Sequence, residues 1–154
     1  MTVQDAITDL VLETFRLNGR LLASGDALVA DLGLTSARWQ VLGAIALSPV
    51  PLSVAQIARN MGLTRQAVQR LANEMQTDGL VRFAPNPHHQ RAKLVLLTAR
   101  GKTAFAAAMK RQSAWATDLG GGLNAREIEA AAATLRSIRQ RLDDRTDNGG
   151  DNAE

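Results

Sequence analysis

Apolar residues return at three- and four-residue steps from Val3 to about Val29. Ile7, Leu10, Val11, Thr14, Leu17, Leu21 and Leu28 fall on one face. That period is helical and predicts a single long helix over residues 3–29. Asp5 and Asp9 near its start suit the positive end of the helix dipole. Gly19 and Gly25 weaken it and allow a bend. The stripe is longer than a small partner domain can cover, so part of it is expected to meet another chain. Thr35 caps a second helix from Ser36 to about Leu47, with Trp39, Leu42, Ile45 and Ala46 facing inward. Ser48-Pro49-Val50-Pro51 stops it, because proline cannot continue a helix.

The elements then shorten. Ser53 caps a helix from Val54 to Asn60, Met61-Gly62-Leu63 makes a tight turn, and Thr64 caps a helix from Arg65 to about Thr77. Asp78-Gly79 ends that helix. Leu80–Ala84 and Lys93–Leu97 are strand-length runs flanking a polar, proline-bearing loop, Pro85 to Gln90. Thr98 caps a long helix to about Leu119, which Gly120-Gly121-Gly122 breaks. Asn124 and Glu127 have capping-box spacing and open a last helix to about Leu142. From Asp143 onward the chain offers acids, Asn and Gly without an apolar anchor, so 143–154 is expected to be a disordered acidic tail. No internal repeat is present.

Helix, short helix, tight turn, helix and hairpin in that order describe a winged helix-turn-helix. Its demands are met at Ala58, small enough for a close helix crossing, at Gly62 in the turn, and at the apolar Ile57, Leu63, Val68 and Leu71. The second helix of such a pair enters a major groove about 12 Å wide. Its outward positions are Thr64, Arg65, Gln66, Gln69, Arg70 and Asn73. Arginine bonds guanine bidentately, and Gln or Asn bonds adenine. Ser53, at the start of the first helix, joins them as a backbone contact. An amphipathic helix with a merely wet polar face fits this helix alone equally well; the turn and hairpin tip the balance toward DNA. In the wing, Arg91 is placed to reach a minor groove, with Asn86, His88, Gln90 and Lys93 toward phosphates. The competing role for Arg91 is a salt bridge that holds the hairpin.

Charge sharpens this picture. The chain of 154 residues carries a net charge of only +3. Between Ser53 and Lys102, however, eight basic residues face two acids, Glu74 and Asp78, a local excess of +6 that leaves −3 for everything else. A basic middle between acidic flanks is the footprint of phosphate binding. Aromatics are 3% of residues, so the core must come from Leu, Val, Ile and Ala. The chain has no cysteine, which excludes disulfides, thiolate metal sites and a thiol switch. No apolar run approaches the ~20 residues of a membrane helix. Acids precede any base at the N-terminus, the wrong polarity for a signal peptide. A cytoplasmic protein is expected. His88-His89 cannot close a metal site alone, and Gly120-Gly121-Gly122 lacks the ending of a phosphate loop. No nucleophile–base order is present, so neither an enzyme nor a cofactor is expected.

Several stretches together resemble the MarR family. They are Leu34-Thr35 followed by Trp39 and Val41-Leu42, the helix-turn-helix, Asp78-Gly79-Leu80-Val81-Arg82, and Arg91-Ala92-Lys93-Leu94-Val95-Leu96-Leu97-Thr98 with Gly101. The resemblance implies a mainly α fold with a small β-hairpin wing, a single domain over residues 1–142. The winged part would span about 34–97, and the helical dimerisation part about 3–30 and 98–142. It implies a homodimer reading a pseudo-palindromic operator in double-stranded DNA, most often as a repressor, with binding modulated by a small effector such as an anionic aromatic. Phe15, Arg16, Arg20 and Trp39 are the candidate effector pocket, and Trp115 a candidate dimer-interface residue. The pattern departs from the family's at one point: an acid usually braces the wing arginine, and His89 and Asn86 stand at the acidic positions. An architectural or protein-interaction module without operator specificity is the alternative.

Overall fold

A computed structural model of the chain describes residues 1–149. It divides into two units, residues 1–113 and residues from 114 onward. The first contains helix α1 (Val3–Val29), a 3₁₀ turn (Ala30–Leu32), α2 (Ser36–Ala46), strand β1 (Leu52–Ser53), α3 (Val54–Met61), α4 (Arg65–Thr77), β2 (Val81–Ala84), β3 (Leu94–Leu97) and most of α5 (Ala99–Leu119). The second contains the end of α5 and helix α6 (Ala125–Gly149). The fold is therefore mainly helical with one small antiparallel sheet.

The helix ends follow the chemistry of their caps. Thr2 and Asp5 form a reciprocal capping box at the start of α1. Thr35 Oγ1 accepts from Arg38 N, and Thr98 Oγ1 accepts from Gly101 N. Asn124 Oδ1 accepts from Arg126 N at the start of α6. Gly33 and Gly62, at φ +72° and +66°, close the preceding turns in the left-handed region, where a side chain is strained. Despite Gly19 and Gly25, α1 runs unbroken. Gly25 is needed because a Cβ there would lie 2.3 Å from Ser36 Oγ. That proximity lets Ser36 Oγ donate to Leu22 O (2.8 Å) while Ser36 N donates to Asp26 Oδ1 (2.7 Å).

The core gathers Val29, Leu34, Val41, Leu42, Ile57, Ala58, Val68, Met75, Val81 and Val95. Three details differ from the sequence expectation. Val41, not Ala46, completes the inner face of α2; Ala46 lies outside. Leu63 is 41% exposed. The turn is locked instead through its backbone, Leu63 N donating to Ala58 O, with Met61 packing against the core. And β1, two residues long and invisible to any periodicity, pairs with β3 as a third strand, Leu52 opposite Val95 and Ser53 opposite Leu94, to give the order β1-β3-β2.

The acidic tail also needs correction. Helix α6 continues past Leu142 to Gly149, through the first part of the expected disordered segment. Extending an existing helix costs far less than starting one. Arg139 and Asp143 stand one turn apart with opposite charge, and Thr146 Oγ1 donates to Leu142 O. Positions 150–154 of that expectation lie outside the described residues.

One ion pair ties the 3₁₀ turn to α5. Arg111 grips Asp31 through both guanidinium nitrogens, the second at 2.8 Å, and also donates to Leu28 O at 3.0 Å. The hydrogen bond from Arg111 holds the Asp31 carboxyl below its ordinary 3.8, against a smaller cost of desolvation. The capping bonds from Thr2 lower Asp5 in the same way. A carboxyl depressed in the folded state stabilises the protein above 3.8, and acid removes that contribution as protons bind the unfolded chain first. The melting temperature is therefore expected to fall as pH drops through and below that value. The fall should be shallower in Arg111→Gln, which has no depressed Asp31 to lose. Identical slopes in thermal melts of the two proteins would refute this.

Candidate nucleic-acid interface

Helix α4 is amphipathic in the strict sense. Val68, Ala72 and Met75 are buried, while Arg65, Gln66, Gln69, Arg70, Asn73 and Gln76 are exposed. Thr64 caps it, its Oγ1 accepting from Ala67 N at 3.1 Å. The α3–α4 crossing, with Ile57 and Ala58 against Val68, turns the polar face outward. Gln69 Nε2 donates to Asn73 Oδ1 at 2.9 Å, one helical turn on, so two amides are aligned before any partner arrives. The positive end of the helix dipole lies at Arg65, which favours an anion there.

A groove of about 730 Å³ runs between this face and the wing. It is lined by Arg65, Gln66, Gln69, Asn73 and Gln76 from α4, by Phe83, Arg91, Ala92 and Lys93 from the hairpin, and by Ser53, Val54 and Ala55 beneath. The fold thus brings Arg65, Gln66, Gln69, Asn73, Arg91 and Lys93 into one concavity. Thr64 and Arg70 stand exposed beside it, and Asn86, His88 and Gln90 sit on the wing loop. Ser53 lies at the floor, 6% exposed. Its Oγ accepts from Gln56 N and its N donates to Gln56 Oε1, the reciprocal cap of α3. Asn86 Oδ1 accepts from His88 N at 3.0 Å, which shapes the loop as an Asx turn. Gln76 was missed by the sequence reading although its signal was there: Gln69, Asn73 and Gln76 are spaced four and three apart on one helix face.

The electrostatics of this face are one-sided. Among the described residues, ion pairs join Arg16 to Glu13, Arg38 to Glu74 and Asp78, and Arg111 to Asp31. None of the eight basic residues between Ser53 and Lys102 takes part. Of the two acids of that stretch, Asp78 is bonded by Arg38, which lies outside it, and Glu74 lies 3.9 Å from the same guanidinium. Arg91 makes no ion pair among the described residues, so the competing salt-bridge role is not realised and the guanidinium is free to meet a ligand.

The candidate effector residues are not brought together in this way. Phe15 is 71% exposed on α1 and Arg20 is exposed five residues on. Arg16 is paired with Glu13, and Trp39 packs against the core. A second groove, about 630 Å³, is lined by other residues, among them Gln40, Leu47, Pro49 and Met61. Among the described residues no group of three or more His, Asp or Glu could hold a metal, and no helix is long and apolar enough to cross a membrane.

With this geometry in hand, the chain can be set beside known proteins. A model of the MarR family matches residues 32–92. An uncharacterized protein of Mycobacterium tuberculosis is 36% identical over 136 residues, 88% of this chain and 94% of that protein. The structure of CouR from Rhodococcus jostii RHA1 bound to p-coumaroyl-CoA superimposes with a TM-score of 0.75 at 24% identity, over 84% of this chain and 91% of that one. The regulator MosR of Mycobacterium tuberculosis, solved in complex with DNA, gives 0.72 at 23% identity, over 86% and 96%.

Proposed function

This chain belongs to the MarR family of transcription regulators, and from that premise we propose that it is a homodimeric repressor that reads a pseudo-palindromic operator and releases it to a small effector. The observation that carries the reading is the groove between α4 and the wing. It is lined by residues able to read base edges and rimmed by basic side chains that make no ion pair among the described residues. Two such grooves related by a twofold axis would meet DNA about 34 Å apart, one helical turn. The similar fold of MosR, solved with DNA, supports this partner.

Homodimer formation rests on exposed apolar side chains. Val3, Ile7, Val11, Phe15 and Leu17 of α1 are 38–82% exposed, and Leu119, Leu123, Ile128 and Leu142 of the second unit 48–63%. A monomer with this much apolar surface in two long helices is poorly soluble, and a second copy is the natural cover. The effector reading rests on the family resemblance and on Arg20, an exposed cation of α1 able to pair with an anionic ligand. CouR, bound to p-coumaroyl-CoA, shows a similar fold accommodating a ligand of that kind.

Selection of bound sequences from random duplexes tests the reading. Enrichment of a two-fold related site is expected; binding without enrichment would favour an architectural role, and a monomer in sedimentation would overturn the whole arrangement. On the enriched duplex, Arg91→Ala is expected to weaken binding and to lower the slope of log K against log salt by about one per protomer, since each arginine–phosphate contact releases roughly one counterion. An unchanged slope would remove the wing from the interface.

A further inference from the structure

The first turn of α2 is fastened on both sides. On one side Ser36 is bonded to α1 twice, through Leu22 O and Asp26 Oδ1, at a contact so close that a Cβ at position 25 would displace Ser36 Oγ. On the other side, Arg38 reaches the far end of α4. Its guanidinium donates to Asp78 Oδ2 at 2.6 Å, approaches Glu74 Oε2 at 3.9 Å, and touches Gly33 O at 3.4 Å. The Arg38 side chain is only 18% exposed, so this pair is partly shielded from solvent. Asp78 is the C-cap residue of α4.

From this we propose that Arg38 is a positioning residue for DNA reading: its ion pair with Asp78 holds the C-terminal end of α4 to α2, and through Ser36 to α1, so that the reading face is set relative to the long first helix. The inference rests on the proposed DNA-binding function and adds a residue outside the groove to it. The pair also keeps Glu74 occupied. Released, Glu74 stands one helical turn from Arg70 and would draw that arginine away from DNA.

Charge alone and positioning make opposite forecasts for one variant. Asp78→Asn removes a negative charge beside a DNA-binding face. By long-range electrostatics it should bind DNA more tightly. If the pair positions α4, it should bind more weakly despite the added positive charge. The probe is the duplex enriched by the wild-type protein, with affinity measured by fluorescence anisotropy. Asp78→Asn and Arg38→Gln are each expected to lose roughly fivefold in affinity, and Arg38→Lys, which can keep the pair, to lose far less. Amide hydrogen exchange at 74–80 should quicken in the first two variants and not in the third. That readout does not depend on DNA, and a fully unfolded variant would show exchange everywhere instead. Asp78→Asn binding as tightly as wild type or tighter, or unchanged exchange, overturns the proposal. Wild-type protein that enriches no sequence overturns the DNA-reading premise, while altered exchange would still show the clamp itself.

Discussion

Gly101→Ala is expected to leave the protein largely unfolded at temperatures where the parent chain is folded. Gly101 is buried in the first turns of α5, and a Cβ built there would lie 2.0 Å from the backbone oxygen of Leu80. That oxygen is not free to move. It accepts from Thr98 N and Thr98 Oγ1, both at 3.1 Å, and these bonds seat the start of α5 on the end of the α4–β2 turn. Relief would require shifting either the helix or the strand, with the loss of those bonds and of the packing around Leu80. Overpacking and broken buried bonds together cost roughly 3 kcal/mol or more, against a total stability of about 5–15 kcal/mol for an ordinary domain. Gly19→Ala is the matched control. It lies mid-helix in α1 with nothing near its Cβ position, and should raise stability by about 0.5–1 kcal/mol. Chemical denaturation of both variants decides the matter; a Gly101→Ala protein as stable as its parent would mean that α5 does not approach Leu80 as described.

The largest functional effect is expected from Arg65→Ala. Arg65 is the first residue of α4, exposed, without an ion pair among the described residues, and in the groove with Gln69 and Asn73. A bidentate arginine–guanine contact is worth about 1–3 kcal/mol. In a dimer the change is made twice, so about 2–6 kcal/mol and on the order of a hundredfold or more in affinity should be lost on the enriched duplex. On a duplex mismatched at the contacted base the loss should be much smaller. Equal losses on both duplexes would show Arg65 touching phosphate rather than bases.

Much of this was legible before any coordinates. The bounds of α4 follow from Thr64 and Asp78-Gly79, and those of α5 from Thr98 and the glycine triplet, because caps are local chemistry. The charge excess over 53–102 and the outward set on α4 were legible for the same reason: both depend on composition and helical period alone. What escaped depends on contacts distant in sequence. Arg38 and Asp78 are forty positions apart, and no periodicity couples them. Strand β1 is two residues long, below any repeat. Ser53 reads in the sequence as an open helix cap, yet the pairing of its strand with β3 leaves the residue only 6% exposed. The continuation of α6 ran against composition: Asn, Gly and Asp argue for coil, and a helix already under way carried through them. The exposure of Leu63 reflects a turn that its backbone already satisfies.

The pairing of Leu52 and Ser53 with β3 has a mechanical consequence. Ser53 is at once a strand residue and the cap of α3, so the base of the hairpin and the helix pair that aims α4 share one atom-scale rivet. The hairpin cannot swing as an independent flap; only its tip can adjust. Arg91 rides on that adjustable loop, so the wing end of the groove can shift while Arg65 stays fixed on α4.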